Sequence, residues 1–561
     1  MYKELLKEIY QDSAIAERYT KEIEKKIKHY QKKRRIAEKL HWDEQDIFLI
    51  TYGDQFFENR EPTLRTFKKF YQKYLSESFS VVHFLPFFPY TSDDGFSVVD
   101  YQVIDEHLGT WEEVEEVRHE VRLMVDFVCN HMSAESTWFQ EYLNSNNDYK
   151  DFFIELPPDT QTSSVTRPRT SPLLTKFIDQ EDKEKYIWTT FSADQVDLNF
   201  KNPKVLMKMI DILLFYLEKG ADFIRLDAVG FLWKELGTTC IHLPETHKII
   251  QLFRAVVDKA ALGTVLITET NVPHKDNISY FGNGHNEAQM VYQFSLPPLA
   301  LHAIRTGNTK VLKKWLKTID FTSKKTTFFN FLASHDGIGL NPVRGILPET
   351  EISQLVEQLK EDGALVNNKQ NSDGTVSPYE INATYLDALS SPTDREEWKR
   401  DRFLVAHSLL VTLPGVPAVY IQSVLGSQND YEGVAKTGEN RKINRKKYAL
   451  AEIETALQTE PLRKTIYEEL TRMLIIRKKE KAFHPNSTID LQTTGDSLIS
   501  FIREADGEQI LVIHNFSDQS ADYLLPEGNY RDLFSGQVIH CKQVRTCNLQ
   551  PYEYVWLKIK N

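Results

Sequence analysis

Cysteine is scarce in this chain: there are four in 561 residues, Cys129, Cys240, Cys541 and Cys547. No two form a CxxC pair, which argues against a zinc ribbon or a dithiol redox motif. So sparse a set fits reduced, intracellular thiols. Long apolar runs are missing as well. No stretch approaches the about 18 uncharged apolar residues of a membrane span, and the N-terminal MYKELLKEIYQDS has no apolar core of signal-peptide type. Nor is there an excess of positive charge. The formal net charge is -12, with lysine and arginine spread along the chain, which argues against a nucleic-acid partner and against a basic membrane-binding face. The one basic run, Lys32-Lys33-Arg34-Arg35, reads as a solvated helix face. The expectation is a cytoplasmic protein with no nucleic-acid or membrane partner; a homodimer is left open.

The patterning that is present has a clear order. Residues 1–42 read as helical, with Tyr19, Ile23, Ile27 and Tyr30 on one face. They form an expected N-terminal extension, 1–45, that packs on the main domain or on a partner chain. Eight short apolar runs follow, separated by helical stretches. They are IFLITYGD from Ile47, VVHFLPFF from Val81, RLMVDFVCNH from Arg122, FIRLDAV from Phe223, TVLITET from Thr264, AQMVYQFS from Ala288, TTFFNFLASHD from Thr326 and GVPAVYIQSVL from Gly415. Continuous apolar strands alternating with helices predict an α/β fold, a closed parallel (β/α)8 TIM barrel, over 46–485. One intervening helix has a marked start, with Asn202 as cap and Pro203 in its first turn. Two connections, 133–191 and 337–401, are too long for turns and read as insertions that shape a substrate pocket. Beyond 485 the pattern alternates (SLISFIRE, QILVIHNF, YEYVWLKI), which predicts a C-terminal antiparallel β domain over 486–561.

In such a barrel the chemistry sits at the C-terminal ends of the strands. By that rule Asp227 closes the fourth run, Glu269 the fifth and Asp336 the seventh. Asp126 with Asn130-His131 closes the third, and His335 stands beside Asp336. Two facing carboxylates suit glycosidic bond chemistry, one as nucleophile and one as acid/base, roughly 5–5.5 Å apart in a retaining enzyme. Arg225, two residues before Asp227, is placed to keep that nucleophile ionised. The apolar run around Glu269 supplies desolvation to keep an acid protonated. No metal-ligand spacing stands out, and this chemistry calls for neither metal nor cofactor.

The segments DFVCNH, RLDAV, ITET and SHD, in that order, resemble the signature regions of the α-amylase superfamily, glycoside hydrolase family 13. Further segments narrow the resemblance to its sucrose-phosphorylase group: LPFFPYTSDDGFSVVDY, NHMSAESTWF, QVDLNF, RLDAVGFLWKELGTTC, SHDGIGL, YEINATYLDAL, PGVPAVYIQSVLGSQND and NRKINRKKY. It runs over nearly the whole chain, including the N-terminal extension that typical sucrose phosphorylases lack. The resemblance implies Asp227 as nucleophile, Glu269 as acid/base and Asp336 as transition-state stabiliser. It implies that Asp93, His131, Arg225, His335 and Arg441 hold a glucose, with Gln195 near that sugar. Arg169, in Arg167-Pro168-Arg169, is implied as a phosphate ligand, and Tyr379 lies near the phosphate and the acceptor. Phe231 stands where the group commonly has tyrosine, and Ser377 and Glu380 stand where aspartate and glutamine are usual.

These departures fall in the acceptor region and put sucrose in doubt. The implied reaction is phosphorolysis of a small glucoside by inorganic phosphate, with 2-O-α-D-glucosylglycerate the foremost substrate. Sucrose or sucrose 6-phosphate phosphorolysis, glucoside hydrolysis or transglucosylation, and a catalytically inactive carbohydrate-binding protein are the alternatives, in that order. For an anionic acceptor the sequence offers Arg344 by position and, more weakly, His242 and Lys234; Glu380, which flanks Tyr379, is an acceptor-region candidate of another kind.

Overall fold

Eight parallel strands close on themselves in chain order: β1 Phe48–Thr51, β2 Val81–Phe84, β3 Arg122–Val128, β4 Phe223–Asp227, β5 Val265–Thr268, β6 Met290–Tyr292, β7 Thr327–Asn330 and β8 Val416–Tyr420, with β8 hydrogen-bonded back to β1. The computed structural model describes residues 1–31, 42–371 and 373–560. The eight apolar runs are thus the eight barrel strands. Their residues are almost wholly buried because helices cover the outside while side chains fill the inside.

Helix α3, Pro203–Glu218, begins as the sequence predicts. Asn202 Oδ1 accepts from the Lys204 N–H at 3.0 Å and Pro203 occupies the first turn. The N-terminal segment forms two helices, α1 Tyr2–Tyr10 and α2 Ser13–Gln31. Tyr19, Ile23, Ile27 and Tyr30 are all buried, and the pair packs on the barrel of its own chain. Lys26 pairs with Asp211 of α3 at 2.8 Å. Tyr2 donates to the carbonyl of Ala255, in helix α4 (Pro244–Ala260), at 3.2 Å. The run Lys32-Lys33-Arg34-Arg35 lies outside the described residues.

The two long connections carry structure of their own. In the first, Leu174–Ile178 and Glu184–Trp188 form an antiparallel hairpin, and His131–Ser133 pairs with Gln195–Asp197. In the second, helix Glu349–Glu361 leads into a three-stranded sheet of Ile338–Gly339, Val376–Asn382 and Leu365–Gln370. A bridge between Arg167 and Gln370 joins the two insertions over the open end of the barrel. The C-terminal segment folds into a six-stranded sheet whose central strands, Leu498–Ala505, Glu508–Asn515 and Tyr554–Lys560, pair antiparallel, as the alternating pattern predicts. Among the described residues no helix is long and apolar enough to cross a membrane.

Candidate active site

Strand register assembles the centre of the site. Asp126 on β3 stands opposite Arg225 on β4. Arg225 and Asp227, two apart, share one face of their strand. Thr268 on β5 pairs with Leu226, which brings the next residues, Glu269 and Asp227, alongside each other. The Arg225 guanidinium bonds Asp126 and reaches Asp227 Oδ1 at 2.7 Å, with its second terminal nitrogen 3.9 Å from Glu269 Oε2. His83 on β2 holds the other Asp126 oxygen at 2.6 Å. The N–H of Ala228, held at φ 46°, donates to Glu269 Oε2 at 3.1 Å. A left-handed alanine is uncommon and marks a backbone over-determined by its surroundings.

Asp336 arrives differently. Strand β7 ends at Asn330, so Ser334-His335-Asp336 lie in the loop after it rather than at the strand end the sequence predicts. That loop is fixed by its neighbours. Asn444 donates to the Ser334 carbonyl at 2.7 Å, and Arg445 Nε to the His335 carbonyl at 2.9 Å. Phe96 stacks on the His335 ring at 4.6 Å. Arg441 bonds Asp336 Oδ1 at 2.7 Å through Nη1 and clasps Glu380 through Nε and Nη2 at 2.8 and 3.0 Å. Asp93 and Asp94, both at positive φ, are pinned by Arg445, which reaches Asp94 at 2.7 Å and Asp93 at 3.5 Å.

The charges follow from burial and these contacts. Burial raises the Asp227 carboxyl well above the ordinary range. Arg225 pulls it down, and Glu269, Asp126 and Asp336 push it further up. Burial also raises Glu269. The sequence expectation that Arg225 lowers Asp227 holds for that single contact, while burial and three neighbouring carboxyls reverse the net direction. Two such acids share one proton between them. Arg225 lies much closer to Asp227 than to Glu269, which favours the negative charge on Asp227, while the Ala228 N–H on Glu269 works the other way. For Asp336 burial again opposes ionisation, but Arg441, Arg445, Arg225 and Arg169 outweigh it and hold its pKa below the usual value. His335 is pushed well down by burial and then by Arg445, Arg225 and Arg441, and burial lowers His131. Both are neutral hydrogen-bonding groups.

These groups open into one cavity of about 420 Å³. Asp93, His131, Gln195, Asp227, Glu269, His335, Asp336 and Arg441 line it, with Arg225 buried behind them. Arg169 and Tyr379 line the same cavity, as does Phe231, which packs edge-on against Phe191. The Arg169 guanidinium lies over the Tyr379 ring at 5.1 Å. All four of the sequence's acceptor candidates have partners within the protein. Glu380 is fully buried and spent on Arg441, because successive strand residues point to opposite faces and Tyr379 takes the cavity side. Lys234 is buried between Asp197 and Asn130, each at 2.7 Å. His242 bonds Tyr280 at 2.6 Å, and neither it nor Lys234 lines the cavity. Arg344 is also absent from the lining, held by Glu349 at 2.5 Å and by the Pro378 carbonyl.

Residues not singled out from the sequence stand in the wall: Lys369, Gln370 and Asn371 from the second insertion, and Thr166 from the first. Lys369 is the one cation in the polar stretch NNKQNSDG, a signal that was there to read. Among the described residues no group of three or more His, Cys, Asp or Glu side chains is gathered so as to hold a metal ion.

A closed parallel barrel that gathers three carboxyl groups beyond the C-terminal ends of its strands is an arrangement suited to glycosidic bond chemistry. The α-amylase catalytic domain matches residues 71–340, and the maltogenic amylase C-terminal domain matches 491–556. The chain belongs to the α-amylase family, glycoside hydrolase family 13, in the part of it that contains the glucosylglycerate and sucrose phosphorylases. It is 52% identical over 522 residues to the glucosylglycerate phosphorylase of Escherichia coli, covering 93% of each chain. It is 44% identical to that of Spirochaeta thermophila over 92% of this chain and 91% of the relative. The sucrose phosphorylase of Agrobacterium vitis is 29% identical, over 88% of this chain and 99% of its own. The crystal structure of sucrose 6F-phosphate phosphorylase from Thermoanaerobacter thermosaccharolyticum superposes with TM-score 0.76 at 25% identity, over 90% of this chain and 99% of that one.

Proposed function

We propose that this protein is a retaining α-glucoside phosphorylase acting on 2-O-α-D-glucosylglycerate and inorganic phosphate. The observation that carries the reading is the Arg225 guanidinium spanning Asp227 and Glu269, which poises one carboxylate and one carboxylic acid at a single sugar-sized site. The relatives named glucosylglycerate phosphorylase, alike over nearly the full chain, support the choice of acceptor.

The reaction runs in two displacements. Asp227 Oδ attacks the anomeric carbon while Glu269 gives its proton to the glycosidic oxygen, and glycerate leaves. A β-glucosyl ester on Asp227 results. Phosphate then attacks the same carbon, Glu269 accepts the proton, and α-D-glucose 1-phosphate departs with net retention. Asp336, kept ionised by Arg441, hydrogen-bonds the ring hydroxyls and strengthens those bonds as positive charge develops on the sugar. Asp93, His131, Gln195, His335 and Arg441 seat the glucose, and Arg225 orients Asp227 from below. Arg169 offers a forked donor to phosphate, the geometry that favours it over water.

The test is a phosphorolysis screen of glucosylglycerate, glucosylglycerol, sucrose and sucrose 6-phosphate. Glucose 1-phosphate is to be released fastest from glucosylglycerate. Release of free glucose instead, or faster turnover of sucrose, would contradict the proposal.

A further inference from the structure

Two cations at the catalytic carboxyls are spent: Arg225 on Asp126 and Asp227, Arg441 on Asp336 and Glu380. Lys369 differs from them. It lines the cavity, yet among the described residues it makes no salt bridge. Burial and then the Arg344 guanidinium lower its pKa, while Glu349, which pairs with Arg344 at 2.5 Å, acts on it in the opposite direction. Lys369 thus sits half-buried in the cavity wall with no carboxylate in salt-bridge contact among the described residues, Glu349 being engaged by Arg344. An ammonium in that position gains from an arriving carboxylate what it has lost in hydration.

Its placement is built rather than incidental. Lys369 lies near the end of strand Leu365–Gln370, in register with Ser377 of the strand that carries Tyr379. The next residue, Gln370, bridges to Arg167 of the other insertion. Arg169, two residues on, faces the cavity from that other insertion with its guanidinium over Tyr379. The two insertions therefore present two separate cations to one cavity.

A phosphorylase whose leaving group is itself anionic must admit two different anions to the carbon on Asp227, a carboxylate in one half-reaction and phosphate in the other. A forked guanidinium matches phosphate, whereas a compact ammonium on a flexible stem serves a single carboxylate. We propose that Lys369 binds the carboxylate of the leaving 2-hydroxy acid, as a specificity residue distinct from the phosphate-facing Arg169. This rests on the phosphorolysis of an acidic glucoside proposed above.

The experiment compares transfer of glucose from α-D-glucose 1-phosphate to D-glycerate and to glycerol, which shares the carbon skeleton and lacks the charge. Both acceptors meet the same glucosyl-enzyme, so their ratio within one variant is insensitive to how much of it is folded. Lys369→Met is expected to lower kcat/KM for glycerate by about 10- to 100-fold, the scale of one lost charge-assisted hydrogen bond, with glycerol changed by about twofold or less. Lys369→Arg should keep most of the glycerate preference, and Lys369→Gln should repeat the Met result. Equal losses on both acceptors, or a raised KM for phosphate in place of the glycerate effect, overturn the assignment. A wild type that prefers glycerate while Lys369→Met leaves the ratio unchanged overturns Lys369 alone. A wild type that uses glycerol but not glycerate overturns the acceptor reading, and Lys369 with it.

Discussion

The Ala228 N–H donates to Glu269 Oε2 at 3.1 Å, so the residue after the proposed nucleophile holds the proposed acid/base in place. Because Ala228 sits at φ 46°, the bond depends on a backbone shape that the surrounding barrel imposes. Orientation of the acid and attachment of the nucleophile are consequently one structural feature.

The shared proton sets the pH behaviour. Activity needs Glu269 protonated, so it falls as pH rises through the raised Glu269 pKa, and it falls on the acid side as the pair takes up its second proton. Stability follows the same linkage. Both carboxyls have folded-state pKa values above the unfolded ones. Their contribution is fully present below the ordinary carboxylate range and is lost as pH rises through the raised folded values. Asp227→Asn removes that penalty. Its Tm should exceed the wild type's at pH 7, with the gap closing towards pH 4, in thermal scans at both values.

Arg169→Ala should raise the KM for phosphate by about 10- to 100-fold, since a forked charge-assisted contact is lost. The glucosyl-enzyme then meets water more often. The ratio of free glucose to glucose 1-phosphate, measured at fixed phosphate, should rise in step.

Arg441→Ala strands two buried carboxyl groups, Asp336 and Glu380. Breaking a buried pair in this way costs about 3–5 kcal/mol. Urea unfolding should show that loss together with a collapse of activity, and Arg441→Lys should not restore the two-pronged contact to Glu380.

Ile23 on α2 is wholly buried against the barrel. Ile23→Ala should cost about 2–5 kcal/mol through the cavity it leaves, read by chemical denaturation. Unchanged stability would mean that the N-terminal helices do not fold with the barrel.

How much of this was legible in the sequence depends on the kind of residue. The eight strands were readable because a strand buried on both faces must be apolar throughout, and the α3 start because Asn202 and Pro203 act locally. Asp227 and Glu269 were readable because each directly closes a strand. Asp336 was placed at a strand end yet lies beyond β7, since a tethered loop leaves no periodic trace. The surroundings of the acceptor candidates were not legible for a related reason. Arg344 and Glu380 were chosen by nearness along the chain, while strand alternation turned Glu380 inward and Glu349 engaged Arg344. Lys369 entered the wall only through the joining of two insertions some 200 residues apart, as the Arg167–Gln370 bridge shows.

The central claim is covalent capture of glucose by Asp227. The direct measurement is intact and peptide mass analysis of the Glu269→Gln variant given α-D-glucosyl fluoride, whose leaving group needs no proton. One glucosyl unit should accumulate, on the peptide containing Asp227, and added phosphate should discharge it as α-D-glucose 1-phosphate. A label on any other side chain, or release of a β-configured product with no label, would contradict the account.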